Sequence, residues 1–248
     1  MRPRARCVTR FTVEQDASEV SRAIADRFVE AATDAIGERG IFRVALSGGG
    51  TPKRVYPLLL EPARRDGVDW SAVEFFWGDE RAVPPDHPES NFGVAYGMLI
   101  SQLPRVRQDR IHRMPAEASD LEAAALSYES ELRLAFGASG PRPPAFDLVW
   151  LGMGPDGHTA SLFPGGDAVN EDARWVVAAW APSLEAWRLS LTLPVLNAGR
   201  RVIFAVTGAD KADALARVRS GDDDLPAARV AGDQVEWIVD AAAAGEAA

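Results

Sequence analysis

Short apolar runs alternate with longer amphipathic segments along the chain. Residues 16–39 carry apolar side chains at three- and four-residue spacing, begin with the N-cap candidate Asp16, and are followed by Gly40. This pattern predicts a helix. Helices are also predicted for the segments TPKRVYPLLL, SNFGVAYGMLIS, DLEAAALSYESELRLAF and ADKADALARVRS. Strands are predicted for the apolar runs in FRVALS, VEFFWGDE, FDLVWLG, WVVAAWAP, WRLSLTLP, RRVIFAVTG and VEWIVD.

The order of these elements favours an α/β fold. Wholly apolar strands with helices between them are typical of a largely parallel sheet that helices cover on both faces. We predict a single domain over residues 8–242, with flexible termini at 1–7 and 243–248. The Pro- and Gly-rich segment 137–145 is interpreted as an internal loop. Ligands of parallel sheets bind beyond the carboxyl ends of the strands, so chemistry is expected where strands end.

Composition excludes several classes of protein. The 248 residues are 47% hydrophobic, enough for a substantial core, and no run approaches the about 18 apolar residues of a membrane span. No apolar signal-peptide centre follows the basic start, so we expect a cytoplasmic protein without membrane contact. One cysteine, Cys7, and three histidines predict neither an internal disulfide nor a metal site. The net charge of −9 argues against nucleic-acid binding, which needs clustered cations.

The first strand end with a chemical signal lies in ALSGGGTPKRVYPLL. Thr51 is a favoured N-cap and Pro52 a favoured first helical residue, so the preceding glycines are expected to present bare N–H groups at a helix N-terminus. Such a terminus binds phosphate. The spacing differs from that of nucleotide-binding loops, so a single phosphoryl group is expected. A plain strand-to-helix turn is the alternative, and Lys53 is interpreted as a solvated helix residue.

The second strand end is WGDERAVPPDHPESNFG, in which Asp79, Glu80 and Arg81 follow an apolar strand. Three consecutive charges after a buried strand ordinarily mean only that the chain reaches the surface. At a strand end, however, Arg81 is also placed to stabilise a phosphate or a developing oxyanion. The segment is therefore a candidate for ligand binding.

The third strand end, LGMGPDGHTASLFPG, contains the pattern G-x-G-x-x-G. A dinucleotide site is not favoured, because Pro155 stiffens the turn and Pro164 stops any helix after about two turns. We predict instead that His158 lies at the N-terminus of a short helix, whose positive end keeps the imidazole neutral and able to accept a proton from water. A histidine that only makes a hydrogen bond at a helix start is the alternative. His87 and His112 are assigned no chemical role.

The three segments, in this order, resemble the 6-phosphogluconolactonase family, within the wider glucosamine-6-phosphate isomerase/deaminase-like group. RLSLTLPVLN and TGADKADAL add to a resemblance that runs from about residue 11 to 240. It implies a three-layer α/β fold of the isomerase/CoA-transferase-like type. It also implies hydrolysis of 6-phosphoglucono-δ-lactone to 6-phosphogluconate, the second step of the oxidative pentose phosphate pathway, without metal or organic cofactor.

The resemblance also implies a role for individual residues. His158 resembles the general base that activates water, Arg81 a ligand-binding or oxyanion-stabilising cation, and Asp79 a residue that orients the site. The residues implied for substrate and phosphate binding are Ser47, Gly48, Gly49, Thr51, Arg188 and Lys211. The division of roles among Arg81, Arg188 and Lys211 stays open.

Two other functions are weighed against this one. An amino-sugar-phosphate isomerase/deaminase typically continues its histidine segment as G-H-I-A-F-N-E-P, whereas residues 159–164 contain no acid. A non-catalytic sugar-phosphate sensor is the second alternative, and the presence of His158 together with the DER segment counts against it. The expected partner is a small phosphosugar lactone, and the expected state is a monomer or small homo-oligomer.

Overall fold

Two β-sheets organise the part of the chain that the computed structural model describes, residues 8–246. Predictions that concern residues 1–7, which include Cys7, and residues 247–248 lie outside the described residues. The strands are β1 (Val8–Glu14), β2 (Phe42–Leu46), β3 (Val73–Trp77), β4 (Asp79–Arg81), β5 (Leu148–Leu151), β6 (Val176–Ala181), β7 (Ala186–Leu191), β8 (Arg201–Val206) and β9 (Gln234–Asp240). The helices are α1 (Ala17–Arg39), α2 (Gly50–Leu59), α3 (Pro62–Arg65), α4 (Asn91–Met98), α5 (Leu121–Phe136), α6 (Leu193–Leu196) and α7 (Ala212–Arg219).

The larger sheet has six strands in the order β1-β9-β8-β5-β2-β3, and all neighbouring strands in it are parallel. Successive side chains of a strand point to opposite faces, so the sheet contributes to two apolar cores. Val44 and Leu46 of β2 belong to the core beneath α1, α2 and α4, whereas Ala45 belongs to the core shared with α5, α7 and the smaller sheet. The predicted parallel sheet in a three-layer α/β fold is confirmed.

Helix α1 forms as its sequence predicts. The carboxylate of Asp16 accepts hydrogen bonds from the N–H groups of Ser18 and Glu19 at 2.8 and 2.9 Å, and Gly40 ends the helix with a φ of 73°. The helix lies across β2, β8 and β9. Its buried face consists of Val20, Ser21, Ile24, Ala25, Phe28, Ala31, Ala32 and Ala35. No helix within residues 8–246 has both the length and the apolar character that crossing a bilayer requires.

A second, antiparallel sheet of three strands in the order β4-β7-β6 does not follow from the sequence prediction. The apolar runs of β6 and β7 do form strands, but they pair with each other and with β4 instead of joining the parallel sheet. Strand β1 is also absent from the prediction, because polar residues interrupt its apolar pattern. In the smaller sheet Arg81 lies directly opposite Arg188.

The chain end folds back onto the domain. The N–H of Ala243 donates to Asp240 Oδ1 at 2.8 Å, and Ala243 is fully buried. Residues 241–245 form a turn in which Ala243 is buried, whereas Gly245 and Glu246 are exposed. The predicted domain limits stay predictions.

Three loops and one strand-to-strand connection meet at the carboxyl edge of the larger sheet. Strand β2 ends before Ser47, β5 before Gly152 and β8 before Thr207. Strand β3 continues through Gly78, whose N–H donates to the carbonyl of Leu46 at 2.8 Å, directly into β4 of the smaller sheet. This edge is where a parallel sheet is expected to bind a ligand.

Candidate active site

A cavity of about 400 Å³ opens at the carboxyl edge of the larger sheet. It lies between the loops that follow β2, β5 and β8 and is bordered by β4 and β7. All nine residues that the sequence analysis selects for the site line it: Ser47, Gly48, Gly49, Thr51, Asp79, Arg81, His158, Arg188 and Lys211. The fold thus brings motifs about 100 residues apart into one place, while the role of each residue stays a prediction.

The glycine-rich loop leads into α2 two residues earlier than predicted. The N-cap is Gly49, with a φ of 98° that side chains disfavour, and the helix begins at Gly50, so the prediction of Thr51 as the N-cap is wrong. Among the described residues, no side chain caps this terminus. Backbone N–H groups of the first turn are consequently left without an intrahelical partner or a side-chain cap beside the cavity, where an anion can accept from them.

His158 lies in a loop and not at the start of a helix, so the predicted helix over the DGHTASLFP segment is wrong. Residues 152–165 form successive turns, in which Gly157 and Ala160 adopt φ values of 80° and 48° that a right-handed helix does not contain. Hydrogen bonds close the loop, from Gly154 N–H to His158 O at 2.9 Å and from Thr159 Oγ1 to Gly152 O at 2.8 Å. The helix-dipole argument for a neutral imidazole therefore does not apply.

The His158 ring is held by the side chain of Asp156 and not by the N-terminus of a helix. Asp156 Oδ1 lies 2.6 Å from His158 Nδ1 and also accepts from the His158 backbone N–H at 3.1 Å. Burial raises the pKa of Asp156, but the hydrogen bond and charge of His158 outweigh this, so the pKa lies below its ordinary value. Because the carboxylate accepts a hydrogen bond from Nδ1–H, the lone pair of the neutral ring lies on Nε2. A Cβ at Gly154 would lie 2.1 Å from Nδ1, so only glycine admits this pair.

Asp79 is a buried hub between the loops. Its Oδ2 accepts from Ser161 Oγ at 2.6 Å and lies 3.7 Å from Arg188 Nη1, and its Oδ1 accepts from Asn91 Nδ2 at 3.2 Å. Both carboxylate oxygens are occupied by protein groups. Asp79 therefore connects β4, β7, the His158 loop and the start of α4, and its orienting role stays a prediction.

Glu80 points away from the cavity and is not a surface charge. It is 3% exposed and accepts from the N–H groups of Asn91 and Phe92 at 2.8 and 2.7 Å and from Ser90 Oγ at 3.0 Å. Burial raises the pKa of Glu80, although these N–H donors act in the opposite direction. Its carboxylate anchors the N-terminus of α4 beside the site.

Two guanidinium groups stand side by side on the smaller sheet. Arg188 is 7% exposed, and burial lowers its pKa although Asp79 acts to raise it. Arg81 Nη1 donates to the carbonyl of Glu89 at 2.7 Å. Within residues 8–246, the buried Nε groups of both arginines lack a hydrogen-bond partner. Across the cavity, Lys211 Nζ lies 2.9 Å from Asp210 Oδ2. The cavity thus has positive groups on two walls.

Comparison with known proteins identifies the family. The sequence profile of the family described as glucosamine-6-phosphate isomerases/6-phosphogluconolactonase matches residues 15–239. The chain belongs to this family. The resemblance given by the three motifs is confirmed.

Relatives and solved structures in this family match between 77% and 97% of the chain. The 6-phosphogluconolactonase of Synechocystis is 41% identical over 77% of each chain, and that of Streptomyces coelicolor is 37% identical over 95% of this chain and 94% of its own. The structure of 6-phosphogluconolactonase from Trypanosoma cruzi superimposes with a TM-score of 0.85, at 30% identity and 97% coverage of both chains. Fold and sequence therefore agree on the family.

Sequence reasoning missed two side chains of this family member. Asp156 is visible in the sequence as D-x-H, a spacing that lets a carboxylate reach the ring two residues later. Arg54 also lines the cavity and follows the glycine-rich loop by one helical turn. Within residues 8–246, no cluster of three or more His, Cys, Asp or Glu side chains is arranged to hold a metal ion.

Proposed function

We propose that this chain hydrolyses the ester of 6-phosphoglucono-1,5-lactone to give 6-phosphogluconate, in the oxidative pentose phosphate pathway. The relatives named above carry this activity in their names. The observation that carries the proposal is the His158–Asp156 pair beside a cavity with four cationic side chains and an uncapped helix N-terminus. A base next to a positive cavity suits the hydrolysis of an ester that bears a phosphate.

His158 acts as the general base in this proposal. Nε2 takes a proton from water while the water oxygen attacks the lactone carbonyl carbon, and Asp156 stabilises the imidazolium that forms. The tetrahedral intermediate collapses, the bond from the carbonyl carbon to the ring oxygen breaks, and the imidazolium returns its proton to that oxygen. A base of this kind contributes about 10² to 10⁴ in rate.

The cations serve the two anionic parts of the reacting substrate. Arg81 and Arg188 are placed to stabilise the tetrahedral oxyanion, an effect worth about 10² to 10³ for one positioned donor. Lys211 and the N–H groups of the loop 47–51 hold the phosphate. Asp79 orients Arg188 without contacting the substrate, because protein groups occupy both of its oxygens.

The isomerase/deaminase alternative is not favoured. Its reaction on an amino sugar phosphate calls for further acid–base groups, and residues 159–164 supply no carboxylate. The relatives compared above are lactonases by name. A non-catalytic sensor has no use for the ordered His158–Asp156 pair.

An assay of acid release from freshly prepared 6-phosphogluconolactone tests the function. The wild-type protein is expected to accelerate release above the spontaneous background, and His158→Ala to lose about 10²-fold or more in kcat while still binding 6-phosphogluconate. His87→Ala is the matched control, since His87 does not line the cavity. A wild-type rate equal to background would refute the lactonase function. Full turnover by His158→Ala would refute the role of the base.

The expected compartment is the cytoplasm, and the expected assembly is a monomer or small homo-oligomer. Both proposals rest on the sequence analysis and stand independently of the reaction.

A further inference from the structure

Cationic side chains outnumber carboxylates around the cavity. Four cations line it, Arg54, Arg81, Arg188 and Lys211, together with the two carboxylates Asp79 and Asp210. Asp79 lies against Arg188 at 3.7 Å, and Asp210 against Lys211 at 2.9 Å. In the part of the chain that the structure describes, these pairs leave Arg54 and Arg81 without a matching carboxylate. The cavity therefore carries two unmatched positive charges in a chain whose net charge is −9.

Of these two arginines, Arg54 has the fewer contacts with the rest of the protein. Arg81 at least donates to the carbonyl of Glu89, whereas the Arg54 side chain is exposed and makes no hydrogen bond, ion pair or ring contact with any other residue in 8–246. Many arginines elsewhere on the surface are paired, as Arg64 is with Asp26 and Arg113 with Glu117. An unpaired guanidinium at the mouth of a cavity is available to a ligand.

The position of Arg54 specifies the kind of ligand. It lies in the second turn of α2, next to the uncapped N-terminus that begins at Gly50, and it shares the cavity wall with Thr51. A guanidinium offers two parallel N–H donors that match the oxygens of a phosphate. A phosphate monoester carries about −1.5 to −2 charges at neutral pH, which would balance the two positive charges of Arg54 and Arg81.

We propose that Arg54 is a substrate-specificity residue that recognises the phosphate of the lactone and discriminates against unphosphorylated lactones. The inference rests on the proposed function, which it deepens. Arg54 acts on capture of the substrate and not on the reacting ester, since it lies at the rim with an exposed side chain. The neighbouring Lys53 is also exposed and cationic, but it does not line this cavity and faces a smaller one behind the loop.

Paired kinetic measurements test the assignment. Arg54→Gln is expected to lower kcat/KM for 6-phosphogluconolactone about tenfold, mainly through KM, and to leave kcat/KM for unphosphorylated glucono-1,5-lactone unchanged. Arg54→Lys should recover part of the loss, because it keeps the charge without the second donor. Lys53→Gln, one residue away and of equal charge, should match the wild type. Raising the ionic strength should lower kcat/KM for 6-phosphogluconolactone more in the wild type than in Arg54→Gln.

Calorimetric binding of 6-phosphogluconate and of gluconate separates this inference from the proposed function. If wild type hydrolyses the lactone but Arg54→Gln keeps its kcat/KM and affinity for 6-phosphogluconate, the role of Arg54 is overturned and the function stands. If wild type shows no hydrolysis yet loses 6-phosphogluconate affinity on Arg54→Gln, the function fails and the phosphate contact stands. Equal losses in Arg54→Gln and Lys53→Gln would indicate general charge attraction and overturn the specific contact.

Discussion

Asp156 fixes the His158 ring at Nδ1, 2.6 Å away, on the side opposite to Nε2. We expect Asp156→Asn to lower kcat about 10- to 100-fold with little change in KM. In the proposed mechanism the His158 ring takes a proton from water, and an amide does not stabilise the imidazolium that forms, whereas the substrate contacts remain. Steady-state kinetics on 6-phosphogluconolactone measure both parameters.

Two further variants distinguish this positioning effect from a loss of structure. Asp156→Glu should recover part of kcat, and Asp172→Asn, which removes an exposed carboxylate away from the cavity, should leave both parameters unchanged. Thermal unfolding of Asp156→Asn should stay close to that of wild type. A rise in KM with kcat intact would contradict the positioning role.

The sequence predicts the composition of the site better than its local geometry. Motifs in a fixed order locate Ser47, Arg81 and His158 at strand ends, and parallel strands bring those ends together. The surroundings of His158 are mispredicted, because a histidine between glycines and prolines fits a turn as well as a short helix. Arg54 is missed for a different reason: an exposed arginine on a helix gives no pattern, and only the cavity distinguishes it from its neighbours.

At the scale of elements, the glycine-rich loop, which we propose to bind phosphate, packs closely against Asn91 of α4. A Cβ on Gly48 would lie 1.8 Å from Oδ1 of Asn91, whose amide also donates to Asp79. We expect Gly48→Ala to lower the free energy of unfolding by about 1–3 kcal/mol, because Asn91 must move and release Asp79. Urea denaturation measures the change.

Gly50→Ala provides the comparison at a neighbouring position of the same loop. A Cβ there meets nothing within 4 Å, so its free energy of unfolding should change by less than about 1 kcal/mol. If Gly48→Ala were as stable as Gly50→Ala, the contact with Asn91 would not constrain the loop.

The sequence predicts whether a segment is a helix or a strand more readily than it predicts which strands pair. The periodicity of α1 and α5 and the apolar runs of β2 and β5 specify their own structure. Strands β6 and β7 look like the others as apolar runs, yet they pair with β4, where the chain leaves the parallel sheet after β3. That choice is made by tertiary contacts, such as those of Asp79, which no local pattern encodes.

At the scale of the whole molecule, a partly buried charge cluster, none of whose residues lines the cavity, joins three elements. His112 Nδ1 lies 2.8 Å from Glu131 Oε1 on α5, and Nε2 lies 3.7 Å from Glu74 Oε1 on β3, an ion-pair distance. Glu74 also accepts from Arg43 Nε of β2 at 2.6 Å, and the His112 ring stacks on Phe76. This cluster supports stability and contributes nothing to the candidate chemistry.

The cluster makes stability depend on pH. Burial lowers the pKa of His112, but the two carboxylates outweigh it and raise the pKa to about 9, against about 6.5 in the unfolded chain. Since the folded-state pKa is higher, the protonated ring stabilises the fold fully below about pH 6.5, and this contribution is lost as the pH rises through about 9. Because Glu131 is nearly half exposed, solvent screens the pair and the full contribution is roughly 1–2 kcal/mol.

We expect His112→Gln to remove this pH dependence. Urea denaturation at intervals between pH 6 and 10 should show the free energy of unfolding of wild type falling toward that of His112→Gln, so that the two differ most at pH 6. His87→Gln changes a half-exposed histidine, and its free energy of unfolding should change with pH in the same way as that of wild type. A constant difference between wild type and His112→Gln across the range would mean that His112 contributes through packing on Phe76 and not through its charge.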